Sequence, residues 1–238
     1  HLSTRRQRQM CIRDREDSDT GKIDLENLNV EIPDERKVQA LEMVQCLGNW
    51  EEEFPWYGNT KPSTSNSYES MLNRTWRPTM TVIGIDGIPP IKDGGNVLLP
   101  FSAANLSFRL PPTADSKKAM QEVEKTLLSD PPNSCEVSIK WEKAANGWNA
   151  PSCKPWLNDI INESSKEIFG KPARAMGEGG TIPFMGMLGE RYPQAQFVIT
   201  GVLGPNSNAH GPNEFIHIPF AKRLNTCIAL ILSNYQKN

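Results

Sequence analysis

The sequence has few of the residues that build metal and redox sites. Only three of its 238 residues are histidines, at positions 1, 210 and 217, and its five cysteines are scattered and include no C-x-x-C pair. An odd number of isolated cysteines predicts reduced, mostly buried thiols and excludes a zinc knuckle. Three dispersed histidines also exclude a histidine-rich metal site made by this chain alone.

A strong charge of one sign and long apolar runs are absent as well. Lys and Arg (26) nearly balance Asp and Glu (28), which argues against a basic protein that binds nucleic acid. The longest uninterrupted apolar run is Cys227–Leu232, far short of the roughly 18–20 residues of a membrane helix. The composition predicts a globular chain of one large or two modest domains, without nucleic-acid or membrane partners.

Residues 1–15 differ in composition from the rest of the chain. They contain five arginines and one acidic residue, and they lack the apolar stretch of a signal peptide. We predict a non-native adapter sequence or a disordered tail there, with a basic targeting arm as the alternative. Because residue 1 is not Met, we expect the natural chain to begin further upstream.

Hydrophobic periodicity divides the next part of the chain into short elements. They are a helix over 33–48 that Asp34 could cap, a loop over 49–70, strands over 79–85 and 96–110, a helix that begins at Thr113, and a strand over 136–141. This order is most of a split βαβ unit without its first strand. In the second strand Leu106, Phe108 and Leu110 share one face, so Arg109 is predicted to point away from the apolar layer.

The remaining chain follows a linker over 144–152 and has an α/β pattern. Its segments are a helix over 156–169, a Gly-rich turn over 177–181, a helix over 183–191, a strand over 196–200, a loop over 201–215 and a helix over 219–235. The Gly-rich turn could be a tight turn or an anion site at a helix N-terminus. In the long loop, His210 could be a hydrogen-bonded structural residue or a metal ligand oriented by polar neighbours. We predict a structural role for His217.

Five segments in a fixed order carry a resemblance to a known family. They read GNVLLP, LSFRLPP, GWNAP, GEGGTIPFMGMLGERYP and GVLGPNSNAHGPNEFIHIP. They resemble the C-terminal half of the zinc-dependent metallopeptidase family that includes carnosine dipeptidase, glutamate carboxypeptidase and aminoacylase, and most closely its dipeptidase-like branch. The resemblance covers about residues 20–236.

The resemblance implies an α/β fold of two parts. Residues 16–148 would be most of a ferredoxin-like α+β lid, its first strand missing, and residues 149–238 the C-terminal portion of the α/β catalytic domain. The family's catalytic domain holds two zinc ions, and its lid usually mediates dimerisation. The expected partners are therefore a small peptide substrate and a second copy of the chain, and the expected location is the cytoplasm.

The resemblance also assigns roles to single residues. His210 matches the last zinc ligand, with Asn213 and Glu214 as its polar supports. The remaining matches lie around the substrate: Glu178, Gly179, Gly180 and Thr181 line its pocket, and Asn96 and Arg109 meet its carboxylate or the developing oxyanion.

The chain departs from the family pattern in one large respect. The H-x-D motif, the Glu-Glu pair that includes the general base, and a further Asp precede the lid in complete members, and none is found here. The lid histidine of many members is absent too. We therefore expect a truncated metallopeptidase for dipeptides or C-terminal residues that assembles no zinc pair and is inactive alone. The alternative is a natural non-enzymatic short form that acts as a dimerisation or interaction module.

Overall fold

The computed structural model describes residues 16–17, 20–49, 54, 56–131, 134–179 and 182–235. The tail expected at 1–15 lies outside them. The helices are α1 (Asp34–Leu47), α2 (Ser67–Thr75), α3 (Ser116–Ser129), α4 (Pro155–Phe169), α5 (Pro183–Arg191) and α6 (Ile218–Tyr235), with 3-10 turns at Glu26–Leu28 and Ile91–Asp93. The strands are β1 (Thr79–Asp86) and β2 (Ala103–Arg109).

The described residues divide into two compact units. The first unit contains the residues up to Asn149 together with Met176–Met187. The second contains Ala150–Ala175 and the residues from Leu188 onward. In the described part of the chain, no helix is long and apolar enough to cross a membrane.

The first unit is built around an antiparallel hairpin of β1 and β2. Thr79 lies opposite Arg109 at one end of this pair, and the register shifts between Val82 and Gly84. Phe108 and Leu110 pack against a buried cluster, whereas Arg109 is exposed. The predicted alternation along β2 is therefore confirmed at its C-terminal end, because neighbouring side chains of a strand point to opposite faces.

The cluster under the hairpin depends on the segment that precedes α1. Ile23, Leu25 and Leu28 are buried there against Ala119 and Val123 of α3. The Glu122 carboxylate of α3 accepts hydrogen bonds from the backbone N–H groups of Glu26 (3.0 Å) and Asn27 (2.6 Å). A single side chain thus fixes the 3-10 turn at 26–28 on the surface of α3.

Helix α2 was not predicted, because the loop expected over 49–70 ends earlier than its composition indicated. The side chain of Asn66 accepts the N–H groups of Tyr68 (3.0 Å) and Glu69 (3.3 Å). This N-cap starts the helix. Met71 and Leu72 then bury against α1, so packing, rather than a long periodic pattern, stabilises this nine-residue helix.

Two predicted capping residues were wrong. Asp115, not Thr113, starts α3, and its side chain accepts the N–H groups of Lys117 (2.9 Å) and Lys118 (3.2 Å). Asp34 is the first residue of α1 and makes no cap. It binds the Lys37 ammonium at 2.8 Å, and this hydrogen bond holds the pKa of the Asp34 carboxyl below its usual value.

Three strand predictions were also wrong in extent. β2 begins at Ala103, not at residue 96. The segments 136–141 and 196–200 belong to no strand among the described residues. A strand needs a neighbour for its ladder hydrogen bonds, and these segments have none in that part of the chain. Trp141 nevertheless packs against the first cluster.

The buried core of the second unit lies between two helices. Leu157 and Ile160 of α4 bury against Cys227 and Ile231 of α6. Burial raises the pKa of the Cys227 thiol. The other cysteines of the described part, Cys46, Cys135 and Cys153, are exposed, so the prediction of mostly buried thiols was wrong.

We predict that Glu122→Ala lowers the free energy of unfolding by about 1–2 kcal/mol, because it leaves two backbone donors without their charged acceptor. Urea unfolding measures this change. Lys125→Ala, one turn further along the exposed side of α3, is the control and should stay within about 0.5 kcal/mol of the parent. Equal midpoints for the two variants would contradict the anchoring role.

Candidate active site

Arg109 and the Gly-rich turn meet in the first unit. Arg109 is the last residue of β2, and its Nη1 donates a hydrogen bond of 2.8 Å to the carbonyl oxygen of Gly179. The two residues are 70 positions apart in sequence, so the fold brings together two of the predicted substrate-binding residues. Gly180 and Thr181, also predicted there, lie outside the described residues.

The Gly-rich turn passes close to the end of α2, which leaves little room for side chains on its glycines. A Cβ on Gly177 would lie 3.1 Å from Thr75 Cβ and 3.3 Å from Thr75 Cγ2. A Cβ on Gly179 would overlap the backbone oxygen of Arg74. The turn therefore needs glycine for contact with a helix, a reason that the sequence, which indicated a tight turn or an anion site, did not reveal.

The other two predicted residues of this site are exposed. Glu178 lies at the surface of the Gly-rich turn. Asn96 lies in a bend ahead of β2, not within the strand as expected. Among the described residues, no hydrogen bond joins Asn96 to Arg109 or to Gly179.

His210 lies in the second unit, in a loop of unusual backbone geometry. Asn206, Asn208, His210 and Asn213 all have positive φ angles, between 55° and 62°. Asn tolerates this left-handed region better than most residues. The His210 N–H donates to Glu214 Oε2 at 3.3 Å. Glu214 thus supports the main chain at His210, where the sequence had suggested contact with the imidazole.

His217 has the structural role predicted for it. Its Nδ1 accepts the backbone N–H of Phe220 at 3.1 Å, and its carbonyl oxygen accepts the N–H of Ala221 at 3.0 Å. The first bond satisfies one of the unpaired donors at the start of α6, and the second is the first regular hydrogen bond of the helix. The imidazole ring of His217 therefore acts as the N-cap of α6.

Residues 21–234 match the model of Peptidase family M20/M25/M40. The chain belongs to this family. The resemblance drawn from the sequence motifs is thereby confirmed. Members of this family are generally metal-dependent.

Four proteins illustrate what the M20 chain is similar to. Cysteinylglycine-S-conjugate dipeptidase of Corynebacterium striatum is 28% identical over 161 residues, which cover 61% of this chain and 33% of that protein. Human carnosine dipeptidase 1 superimposes with a TM-score of 0.72 at 17% identity, over 96% of this chain and 48% of the other.

The remaining two are a yeast and an archaeal enzyme. The di-peptidase Dug1p of Saccharomyces cerevisiae gives a TM-score of 0.69 at 16% identity, over 100% of this chain and 49% of the other. The metallo-carboxypeptidase Sso-CP2 of Sulfolobus solfataricus gives a TM-score of 0.63 at 21% identity, over 94% of this chain and 51% of the other. These similarities confirm the predicted mixed α/β fold, of which the chain covers a part. The M20 chain spans about half the length of these solved structures and a third of the bacterial relative.

The described residues of the M20 chain do not fit a complete metal site. They include no group of three or more His, Cys, Asp or Glu side chains that could hold a metal ion. A catalytic zinc ion usually has three protein ligands and one open position. His210 could supply one ligand at most, so the others would have to come from outside the described part.

We predict that His217→Ala lowers the free energy of unfolding by about 1 kcal/mol, because α6 loses its N-cap. His217→Asn should stay close to the parent, since Asn is itself a good N-cap. Circular dichroism during urea unfolding measures both. The control is Arg223→Ala, an exposed position in α6. A His217→Ala variant as stable as this control would show that the ring does not cap the helix.

Proposed function

We propose that the chain is the lid and the C-terminal catalytic portion of a metallopeptidase that hydrolyses dipeptides or removes C-terminal residues. The observation that supports this most is the contact of Arg109 with Gly179 in a chain that belongs to the M20 family. The proposed cofactor of the longer enzyme is a pair of zinc ions that activate water. His210 would be one ligand, and the general base would lie outside this chain.

Arg109 is proposed to bind the free carboxylate of the substrate. Its guanidinium has five N–H donors in a planar fork, and one hydrogen bond, to Gly179, is described for it. The remaining donors can bind a carboxylate bidentately. Because the side chain is exposed, a substrate can reach it without displacing other groups.

The other site residues have supporting roles in this proposal. Glu178, Gly180 and Thr181 would line the substrate pocket beside Gly179. Asn96 would meet the developing oxyanion. Asn213 and Glu214 would hold the loop that carries His210. The hydrogen bond of 3.3 Å from the His210 N–H to Glu214 supports this role for Glu214.

Residues 16–148 are proposed to be a lid that pairs two copies of the chain. Large apolar side chains are exposed along the hairpin of β1 and β2 and its connection: Val82, Ile83, Ile85, Ile88, Ile91, Val97, Leu98 and Phe101. Exposed apolar side chains concentrated in one segment are typical of an interaction site. The same surface supports the second candidate function, a non-enzymatic short form that acts as a dimerisation module.

We also propose that the protein works in the cytoplasm. Cys46 and Cys135 are free and exposed, as is typical of proteins in a reducing compartment.

We predict that Arg109→Ala in the active enzyme lowers kcat/KM for dipeptides with a free carboxylate by roughly 30-fold, the effect of about 2 kcal/mol, because a charged hydrogen-bonding partner is lost. Amidated substrates should lose far less, and Arg109→Lys should retain part of the discrimination because it keeps the charge but not the fork.

The active enzyme in this test is the chain extended by its upstream coding sequence. Steady-state kinetics with paired carboxylate and amide substrates provide the measurement. Arg223→Ala is the control, an exposed arginine of the second unit. An Arg109→Ala enzyme with the parent's ratio of carboxylate to amide cleavage would refute the assignment.

We predict that Ile85→Glu dissociates the proposed dimer, because a charge in an apolar contact loses its hydration without gaining a partner. Ile85 is 65% exposed in one chain. Sedimentation velocity measures the change. Leu232→Glu, at a residue 64% exposed on α6, is the control and should leave the dimer intact. A parent chain that sediments as a monomer at all concentrations would contradict the pairing.

A further inference from the structure

We infer that the C-terminal end of α2 positions the carboxylate site, and that Thr75 is a positioning residue that acts through the Gly-rich turn on Arg109. This inference rests on the proposed function of Arg109. It concerns residues to which neither the sequence motifs nor the family resemblance gave a role.

The end of α2 is a rigid surface because the helix is held along its length. Met71 and Leu72 are 1% and 3% exposed. The Asn66 side chain caps the N-terminus. Glu69, in the first turn of the helix, forms an ion pair of 2.7 Å with Arg77, which lies just after its C-terminus. Buried side chains and satisfied termini leave such a helix little freedom to shift.

Thr75 presents its methyl group to the turn in a fixed orientation. Its Oγ1 donates a hydrogen bond of 2.7 Å to the carbonyl oxygen of Met71, and the residue is 6% exposed. This bond selects one χ1 rotamer of the β-branched side chain. A Cβ on Gly177 would then lie 3.3 Å from Thr75 Cγ2 but 3.8 Å from Oγ1, so the methyl group is the nearer of the two.

The turn lies on this surface at two points. A Cβ on Gly177 would crowd Thr75, and Gly179 lies so close to the backbone oxygen of Arg74 that no side chain fits between them. The carbonyl oxygen of Gly179 accepts the hydrogen bond from Arg109 Nη1 at 2.8 Å. The position of α2 therefore determines where this acceptor lies and how the exposed guanidinium is oriented.

An oriented guanidinium discriminates better than a mobile one. Arg109 has many rotamers available at the surface, and binding a carboxylate bidentately requires one of them. A contact that selects that rotamer beforehand raises selectivity for carboxylate substrates. Disturbing the contact of Gly177 with Thr75 should therefore change selectivity, whereas loss of stability alone would lower the cleavage of all substrates equally.

The test compares kcat/KM for a dipeptide and its C-terminal amide in the active enzyme. Gly177→Ala should lower the ratio of the two values by about tenfold, because a small displacement of a positioning group is costly. Thr75→Gly removes the two carbons, Cβ and Cγ2, that a Cβ on Gly177 would crowd. The double variant should therefore have a ratio close to that of Thr75→Gly alone. Gly186→Ala is the control, since its Cβ would meet only Trp148 Cβ at 3.9 Å.

A milder variant covers the case in which Gly177→Ala does not fold. Thr75→Ser removes the methyl group and keeps a hydroxyl for Met71. It should lower the ratio and, in the 238-residue chain, raise the hydrogen-exchange rate at 177–179, whereas Gly186→Ala changes neither. Parent exchange rates together with a parent ratio in Thr75→Ser would overturn the inference.

Arg109→Ala separates this inference from the proposed function. If Arg109→Ala lowers the ratio but Gly177→Ala and Thr75→Ser do not, the positioning role of Thr75 is wrong and the proposed role of Arg109 survives. If Arg109→Ala leaves the ratio unchanged, the proposed role of Arg109 fails, and the positioning role of Thr75 fails with it.

Discussion

The close approach of the Gly-rich turn to the end of α2 is the constraint on which the site of the first unit depends. Gly179 lies so close to the backbone oxygen of Arg74 that no side chain fits there, and a Cβ on Gly177 would crowd Thr75. That contact fixes the Gly179 carbonyl oxygen, which accepts the hydrogen bond from Arg109. The orientation of the Arg109 guanidinium thus depends on the cap and the buried face of α2. It depends also on the register that ends β2 at Arg109.

Much of the fold could be predicted from hydrophobic periodicity. α5 has the predicted bounds, and α1, α4 and α6 begin or end within a residue or two of the prediction, because each has an apolar face long enough to give a periodic signal. Helix α2 has nine residues, as α5 does, but it follows a segment whose composition indicated a loop, and the Asn66 cap that starts it was not predicted. The predicted strands over 136–141 and 196–200 show the opposite error, since β-branched sequence alone supplies no neighbouring strand.

The motifs predicted the family correctly, but they could not give the reasons for individual residues. The glycines of the turn indicated an anion site or a tight turn, whereas the structure shows a helix contact. His217 was predicted to be structural from its place at a helix entry, and the N-cap to Phe220 confirms it. The metal role of His210 stays a prediction, because the described residues offer it no partner ligands.

Under the proposed function, this chain would supply one metal ligand and a carboxylate-binding surface to a longer metallopeptidase and would complete no catalytic centre by itself. The most direct test of this claim is elemental analysis for zinc together with dipeptide hydrolysis, on the purified 238-residue chain and on the chain co-expressed with an upstream catalytic half. We predict little zinc and no turnover for the chain alone. The co-expressed protein should bind zinc and hydrolyse the dipeptide, and His210→Ala should lose both properties. Stoichiometric, tightly bound zinc with turnover in the chain alone would contradict the account.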